Sequence, residues 1–127
     1  MKGFVSRPVL VLVLSLAIAG SGGTLPLATA ASKPQVIEIS LKEFDILPRE
    51  VLAKPGAVTF VVKNVGAIEH DFVVEDANGK AVARIAVISP GKQEDVQAVL
   101  RPGLYTTLCS LPGHKDAGMK GLLKVQD

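Results

Sequence analysis

Between residue 35 and the C-terminus, short runs of β-branched and aliphatic residues are cut at close intervals by proline and glycine, and no window sustains the helical period. The cuts fall at Pro48, Lys54-Pro55-Gly56, Asn64-Val65-Gly66, Asn78-Gly79, Pro90-Gly91, Pro102-Gly103 and Pro112-Gly113. Segments this short suit strands and leave little room for helices. Ile37, Ile39 and Leu41 alternate with Glu38, Ser40 and Lys42, the pattern of a strand with one buried face. Val58, Phe60 and Val62 share a face of a second strand. Phe72-Val73-Val74-Glu75 leads into Asn78-Gly79, a pair that accepts the left-handed backbone of a tight hairpin, and residues 81–88 return from it. Runs at 95–100, 104–109 and 122–125 complete the set. About seven to eight strands in roughly 97 residues predict an all-β sandwich or small barrel. There is no internal repeat and no second domain.

The first thirty residues are of another kind. Lys2 and Arg7 precede an apolar run over residues 9–19, and small residues then lead to Ala28-Thr29-Ala30. Basic, apolar and small segments in that order read as a secretory signal peptide over residues 1–30, cleaved after Ala30, with Ala19 as a second candidate. The alternative is an uncleaved anchor, since no charge lies between Arg7 and Lys33. Against it, the dense apolar stretch is eleven residues long where a span needs about 20, and Gly20, Gly22, Gly23 and Pro26 interrupt any continuation. No twin arginine is present, which points to the general export route. The expectation is an exported protein, periplasmic or extracytoplasmic. Its mature domain over 31–127 needs no membrane span, unless the signal is retained as an anchor.

Removing that segment alters the charge balance. Without Lys2 and Arg7, the fourteen basic residues become twelve, against twelve acidic ones. A near-neutral domain with no lysine or arginine run excludes the usual electrostatics of nucleic-acid binding. It is expected to be a monomer.

The side chains that bind soft metals are few and gathered together. The mature segment has one cysteine, Cys109, two histidines, His70 and His114, and one methionine, Met119. An odd cysteine in an exported chain has no internal disulfide partner, so it is free or ligated. Three of the four residues fall in a C-x4-H-x4-M stretch, and His70 stands where a strand begins. A thiolate, two imidazoles and a thioether make the ligand set of a blue-copper electron-transfer site. Cys109 closes a strand, the turn at Pro112-Gly113 brings His114 back to the same pole, and Gly118 bends the chain toward Met119.

These residues resemble the cupredoxin family. The likeness extends over most of residues 35–127, through Glu43-Phe44, Pro48, Phe60-Val61-Val62-Lys63-Asn64, His70-Asp71-Phe72 and Met119-Lys120-Gly121. It implies a cupredoxin-like Greek-key β-sandwich with one copper ion, cycling between Cu(II) and Cu(I), under one end. His70, Cys109 and His114 would be the strong equatorial ligands and Met119 the weak axial one. Two positions depart from the family pattern. Asp71 stands where Asn or Ser is common, placed to accept a bond from the Ser110 hydroxyl or a backbone N–H and to lower the potential if ionised. Thr107-Leu108 replaces the aromatic residue often found before the cysteine, which removes that side route for electrons.

Taken singly, a buried cysteine, a satisfied histidine and a core methionine are ordinary. It is their joint placement that calls for a metal. A zinc site is chemically possible, but thioether suits zinc poorly and structural zinc sites favour more thiolates. A binuclear copper centre needs a second cysteine, a trinuclear cluster more histidines, and hydrolysis a free thiolate. The resulting expectation is an exported mononuclear type 1 copper protein, not an enzyme, that carries single electrons. Its transient partners would be redox proteins: a cytochrome, oxidase, reductase or photosynthetic complex. The rival is a copper carrier or resistance protein that delivers metal without redox cycling. Tyr105 is read as the cap of a strand corner, and Leu111-Pro112-Gly113, with one exposed leucine, as an apolar docking patch beside His114.

Overall fold

The alternating segment predicted from residue 35 is β1 (Gln35–Lys42), with Ile37, Ile39 and Leu41 buried and Glu38 and Lys42 in solvent. The computed structural model describes Gly23 and residues 32–127. The reading of residues 1–30 as a signal peptide therefore falls, Gly23 apart, outside the described residues. After β1 come β2 (Asp45–Leu47), β3 (Glu50–Ala53), β4 (Gly56–Asn64), β5 (His70–Glu75), β6 (Ala81–Ile88), β7 (Gln93–Leu100), β8 (Gly103–Leu108) and β9 (Lys120–Val125). They form one sheet in the order β2-β1-β4-β7 and another in the order β3-β9-β8-β5-β6. The pairs β1·β4 and β3·β9 are parallel and the others antiparallel. The described residues form an all-β sandwich of two mixed sheets.

The nine strands among the described residues exceed the seven or eight predicted, and the excess lies around Pro48. β2 pairs with β1 in the first sheet, and β3, only three residues later, pairs with β9 in the second. Pieces of three and four residues are too short to show a period. Their strand character comes from the sheets on either side, not from their own pattern.

Each sheet turns one face inward. Val58, Phe60 and Val62 of β4 are buried with Ile37, Ile39 and Leu41 of β1, opposite Phe72 and Val74 of β5 and Leu123 and Val125 of β9. The Phe60 and Phe72 rings meet across the middle with centroids 5.5 Å apart at 53°. Burying such a ring contributes about 1.5–3 kcal/mol to holding the two sheets together. The hairpin forms where Asn78-Gly79 predicts it: Gly79 has φ +77°, and Asp76 Oδ1 accepts the N–H groups of Asn78 at 2.9 Å and Lys80 at 3.0 Å. Tyr105 caps a corner as expected, its hydroxyl donating to the Arg101 carbonyl at 2.9 Å and accepting the Arg101 N–H at 3.2 Å.

β5 is the strand that matters for the site. His70, Asp71, Phe72, Val73 and Val74 are all buried, because β5 lies inside its sheet between β8 and β6. Its first residue, His70, therefore opens at one end of the sandwich, beside the end of β8, with no exposure of its own.

Candidate metal centre

His70 is delivered by a loop that one side chain fastens. Asn64 closes β4 and is fully buried, and its amide donates to the carbonyls of Ile68 at 2.7 Å and Ile88 at 2.8 Å. Its Oδ1 accepts the Gly66 N–H at 2.9 Å, an Asx turn that starts the loop. Residues 65–69 are thereby set before β5 begins, and His70 enters the interior on a fixed path.

The other residues come on a single loop after β8. Cys109 follows the strand directly, and its backbone N–H donates to the Met119 carbonyl at 3.1 Å. The His114 N–H donates to the Leu111 carbonyl at 3.0 Å, and the Met119 N–H to the His114 carbonyl at 3.0 Å. Gly113 at φ +79° makes the turn back. Gly118 at φ +117° passes so near the Phe44 carbonyl that a Cβ there would lie 3.3 Å from it. Met119 is buried and joined through its backbone to both Cys109 and His114. The three residues are thus one hydrogen-bonded unit, closed onto β9.

Three ligand atoms converge. Cys109 Sγ lies 3.5 Å from His114 Nδ1 and 3.9 Å from His70 Nδ1, and the two Nδ1 atoms are 3.3 Å apart. A point equidistant from all three sits about 2.1 Å from each, within the roughly 2.0–2.3 Å of imidazole and thiolate bonds to a first-row metal ion. The residues fit a metal ion, and with the thioether of Met119 the donor set suits copper. The structure brings all four sequence-predicted residues, His70, Cys109, His114 and Met119, to this end of the sandwich. His70, Cys109 and Met119 are buried, while His114 is half-buried and is the member nearest solvent.

Burial governs the protonation of the inner pair. It pulls His70 below the usual imidazole range, although Glu43 opposes the shift, so the ring is neutral and can offer a lone pair. Burial also pushes the Cys109 thiol up, so a metal must displace a proton to gain the thiolate.

Four residues that the sequence did not assign complete the site. Glu43 Oε1 lies 3.2 Å from His70 Nε2 and accepts the N–H groups of Ala67 at 2.8 Å and Ile68 at 3.0 Å. The Ile68 N–H is the main reason its carboxyl is held below the usual range. Phe44 sets the edge of its ring against His114 at a centroid distance of 5.3 Å and 78°. Arg84, on β6, reaches Asp71 at 3.4 Å and the Ser110 hydroxyl at 3.3 Å. Asn64 is the fourth. Only Asn64 had a local signal, a strand-ending asparagine two residues before glycine; the other contacts link residues 13 or more positions apart.

Asp71 forms the bonds foreseen for it, accepting from both the Ser110 N–H and the Ser110 hydroxyl. It ties the start of β5 to the residue after Cys109. Leu111 differs from expectation: it is half-buried and packs against the core rather than standing exposed. The apolar surface at this end is instead Phe44 at 45 % exposure, Val65 at 51 % and Ile68 at 43 %, on the loops that carry Glu43 and lead to His70.

A model of the cupredoxin-like domain family matches residues 9–123. No curated protein sequence matches the chain. Among solved structures, the chain is similar to the dithionite-reduced auracyanin of the photosynthetic bacterium Roseiflexus castenholzii. That pair has a TM-score of 0.64 and 23 % identity, covering 76 % of this chain and 100 % of that one. It is also similar to auracyanin A, a "blue" copper protein of the green thermophilic photosynthetic bacterium Chloroflexus aurantiacus (TM-score 0.66, 22 % identity, 73 % of this chain and 99 % of that one). An azurin of the obligate methylotroph Methylomonas sp. strain J gives a TM-score of 0.64 at 17 % identity, over 73 % of this chain and 98 % of that one. His70, Cys109, His114 and Met119 are arranged here as a type 1 copper site.

Proposed function

This chain belongs to the cupredoxin-like family, and from that premise we propose that it is a mononuclear type 1 copper protein that carries single electrons between redox proteins. The observation that carries the reading is the triangle of Cys109 Sγ, His70 Nδ1 and His114 Nδ1, with edges of 3.3 to 3.9 Å, in which Cys109 and His114 are both joined by backbone bonds to Met119. His70, Cys109 and His114 would hold the ion, with the thioether of Met119 as a weaker fourth ligand. Copper bound there would supply a one-electron couple and a visible thiolate charge-transfer band.

The chain's own contribution is rigidity and dryness. Three of the four residues belong to one hydrogen-bonded loop, and the fourth is anchored by Asn64 and β5. A cage that barely moves can accept two oxidation states with little rearrangement, as a fast carrier requires. Burial of Cys109, His70 and Met119 keeps water from the centre. Four side chains leave no position for a substrate, which favours a carrier over an enzyme. His114, half-buried and edged by Phe44, is the shortest way out for an electron.

The test is to titrate the copper-free protein with Cu(II), then reduce and reoxidise it. A visible band that appears at one equivalent and returns on reoxidation supports the carrier. A colourless protein that gives its copper up to a chelator is a metal-delivery protein instead.

Met119 is expected to tune the centre more than to retain its metal. A thioether would bind copper only weakly, and the identity of that ligand helps set the potential. Met119→Leu keeps copper and raises the potential, and Met119→Gln keeps copper and lowers it, as read by spectroelectrochemistry. Loss of copper from both variants would show that Met119 is essential to the structure of the site, or that the site is of a different kind.

We read residues 1–30 as an export signal and 31–127 as the mature domain, which acts in the periplasm or another extracytoplasmic space. Among the described residues no helix is long and apolar enough to cross a membrane. Partner encounters are weak and brief, since redox pairs use small interfaces and twelve charges of each sign give little long-range steering. Docking uses the apolar surface of Phe44, Val65 and Ile68. Val65→Glu then slows stopped-flow reduction by the partner severalfold at every salt concentration and leaves the visible spectrum unchanged. Wild-type rates in that variant would move the docking site elsewhere.

A further inference from the structure

One carboxylate oxygen at this end gathers three donors. Glu43, between β1 and β2, places Oε1 at 2.8 Å from the Ala67 nitrogen, 3.0 Å from the Ile68 nitrogen and 3.2 Å from His70 Nε2. All three donors belong to the β4–β5 loop or the first residue of β5, so the carboxylate spans from the first sheet to the second.

The seat is shaped by a missing side chain. A Cβ on Gly66 would lie 2.3 Å from Glu43 Oε1 and 2.8 Å from both Oε2 and the carboxyl carbon. Gly66 is not among the glycines with positive φ, so its backbone conformation does not demand glycine. A Cβ there would instead displace the Glu43 carboxylate from its seat.

We propose that Glu43 is a positioning residue for the metal centre, which fixes the proton of His70 on Nε2, turns Nδ1 toward Cys109 and His114, and holds a negative charge against a metal ligand. The role rests on the reading of the site as a copper centre. A neutral imidazole has one N–H and one lone pair, and the nitrogen that donates outward leaves the other free to ligate. With Nε2 facing Glu43, the free lone pair is on Nδ1, the atom 3.9 Å from Cys109 Sγ and 3.3 Å from His114 Nδ1. A carboxylate on the far side of a ligating imidazole makes it more basic and favours the more positive oxidation state of the metal. Glu43 is therefore expected to lower the potential. Gly66 serves by leaving room for it.

Three variants and two measurements test this. In the copper-free protein, 15N NMR of the imidazoles reads the tautomer directly. Wild type shows His70 with a slowly exchanging Nε2 proton, Glu43→Gln retains it because the amide oxygen still accepts, and Glu43→Ala loses it. In the copper-loaded protein, Glu43→Gln keeps the visible band but raises the reduced-to-oxidised ratio at a fixed ambient potential about tenfold, equivalent to about 59 mV for a one-electron couple. Gly66→Ala, which removes no polar group, shifts the ratio in the same direction by displacing the carboxylate. A Glu43→Ala protein with the wild-type tautomer, or a Glu43→Gln protein with the wild-type ratio, overturns the role. A wild-type protein with no visible band would instead refute the copper reading, and the tautomer measurement on the copper-free chain would still decide whether Glu43 positions His70.

Discussion

Cys109→Ala is expected to remove all visible absorption from the copper-loaded protein and to leave the sandwich folded. Cys109 is the only thiol in the chain, and thiolate-to-metal charge transfer has no other source. Its Sγ forms two edges of the ligand triangle, so without it only the two imidazole nitrogens of that triangle remain. The structural loss is small by comparison. The bond from the residue 109 N–H to the Met119 carbonyl is made by backbone and survives the change. Removing one buried sulfur costs about 1–2 kcal/mol, a fraction of the 5–15 kcal/mol by which domains are usually stable. Absorption after copper loading, with far-ultraviolet circular dichroism as the folding control, separates the two effects. A variant that stayed blue would refute the site.

Phe60→Ala is expected to be among the most damaging of the simple core truncations. Phe60 is fully buried at the middle of β4, and its ring meets Phe72 of the opposite sheet with centroids 5.5 Å apart. Truncation removes that contact and leaves a cavity between two sheets that the ladders prevent from collapsing, at a cost of about 3–5 kcal/mol. For a domain of this size each kcal/mol moves the melting midpoint by about 4–8 °C, so a fall of more than about 12 °C follows. The measurement belongs on the copper-free protein, because bound metal adds its own stabilisation. Val99→Ala on the neighbouring β7 is the control: Val99 is 79 % exposed, and its loss is worth no more than about 0.5 kcal/mol. Equal midpoints for the two variants would mean that Phe60 is not at the centre of the core.

Both expectations draw on features that were legible at different depths. The inward faces of β1 and β4 are local facts: Ile37, Ile39 and Leu41, then Val58, Phe60 and Val62, recur every second residue, and a strand turns every second side chain to one side. The hairpin at Asn78-Gly79 is local too, since those two residues accept the backbone of a tight turn. The four candidate ligands were countable because this chain has so few soft donors, and three of them share one loop of eleven residues.

Contacts between distant segments carry no such signature. β2 and β3 are strands because β1 and β9 lie beside them, and β3 lies some seventy residues before its partner in the chain. Glu43 and His70 are 27 positions apart, and nothing in Glu43-Phe44 tells that the carboxylate will reach an imidazole. Gly66 looks like an ordinary turn glycine until the carboxylate beside it is seen. Leu111 reads as an exposed loop residue and packs against the core instead. Residue types and periods act over a few neighbours, so the chain alone states which face of a strand is apolar and which donors exist. Which loops meet at one end of the sandwich, and hence what surrounds each donor, follows from how two sheets close on each other, where every contact depends on all the others having formed.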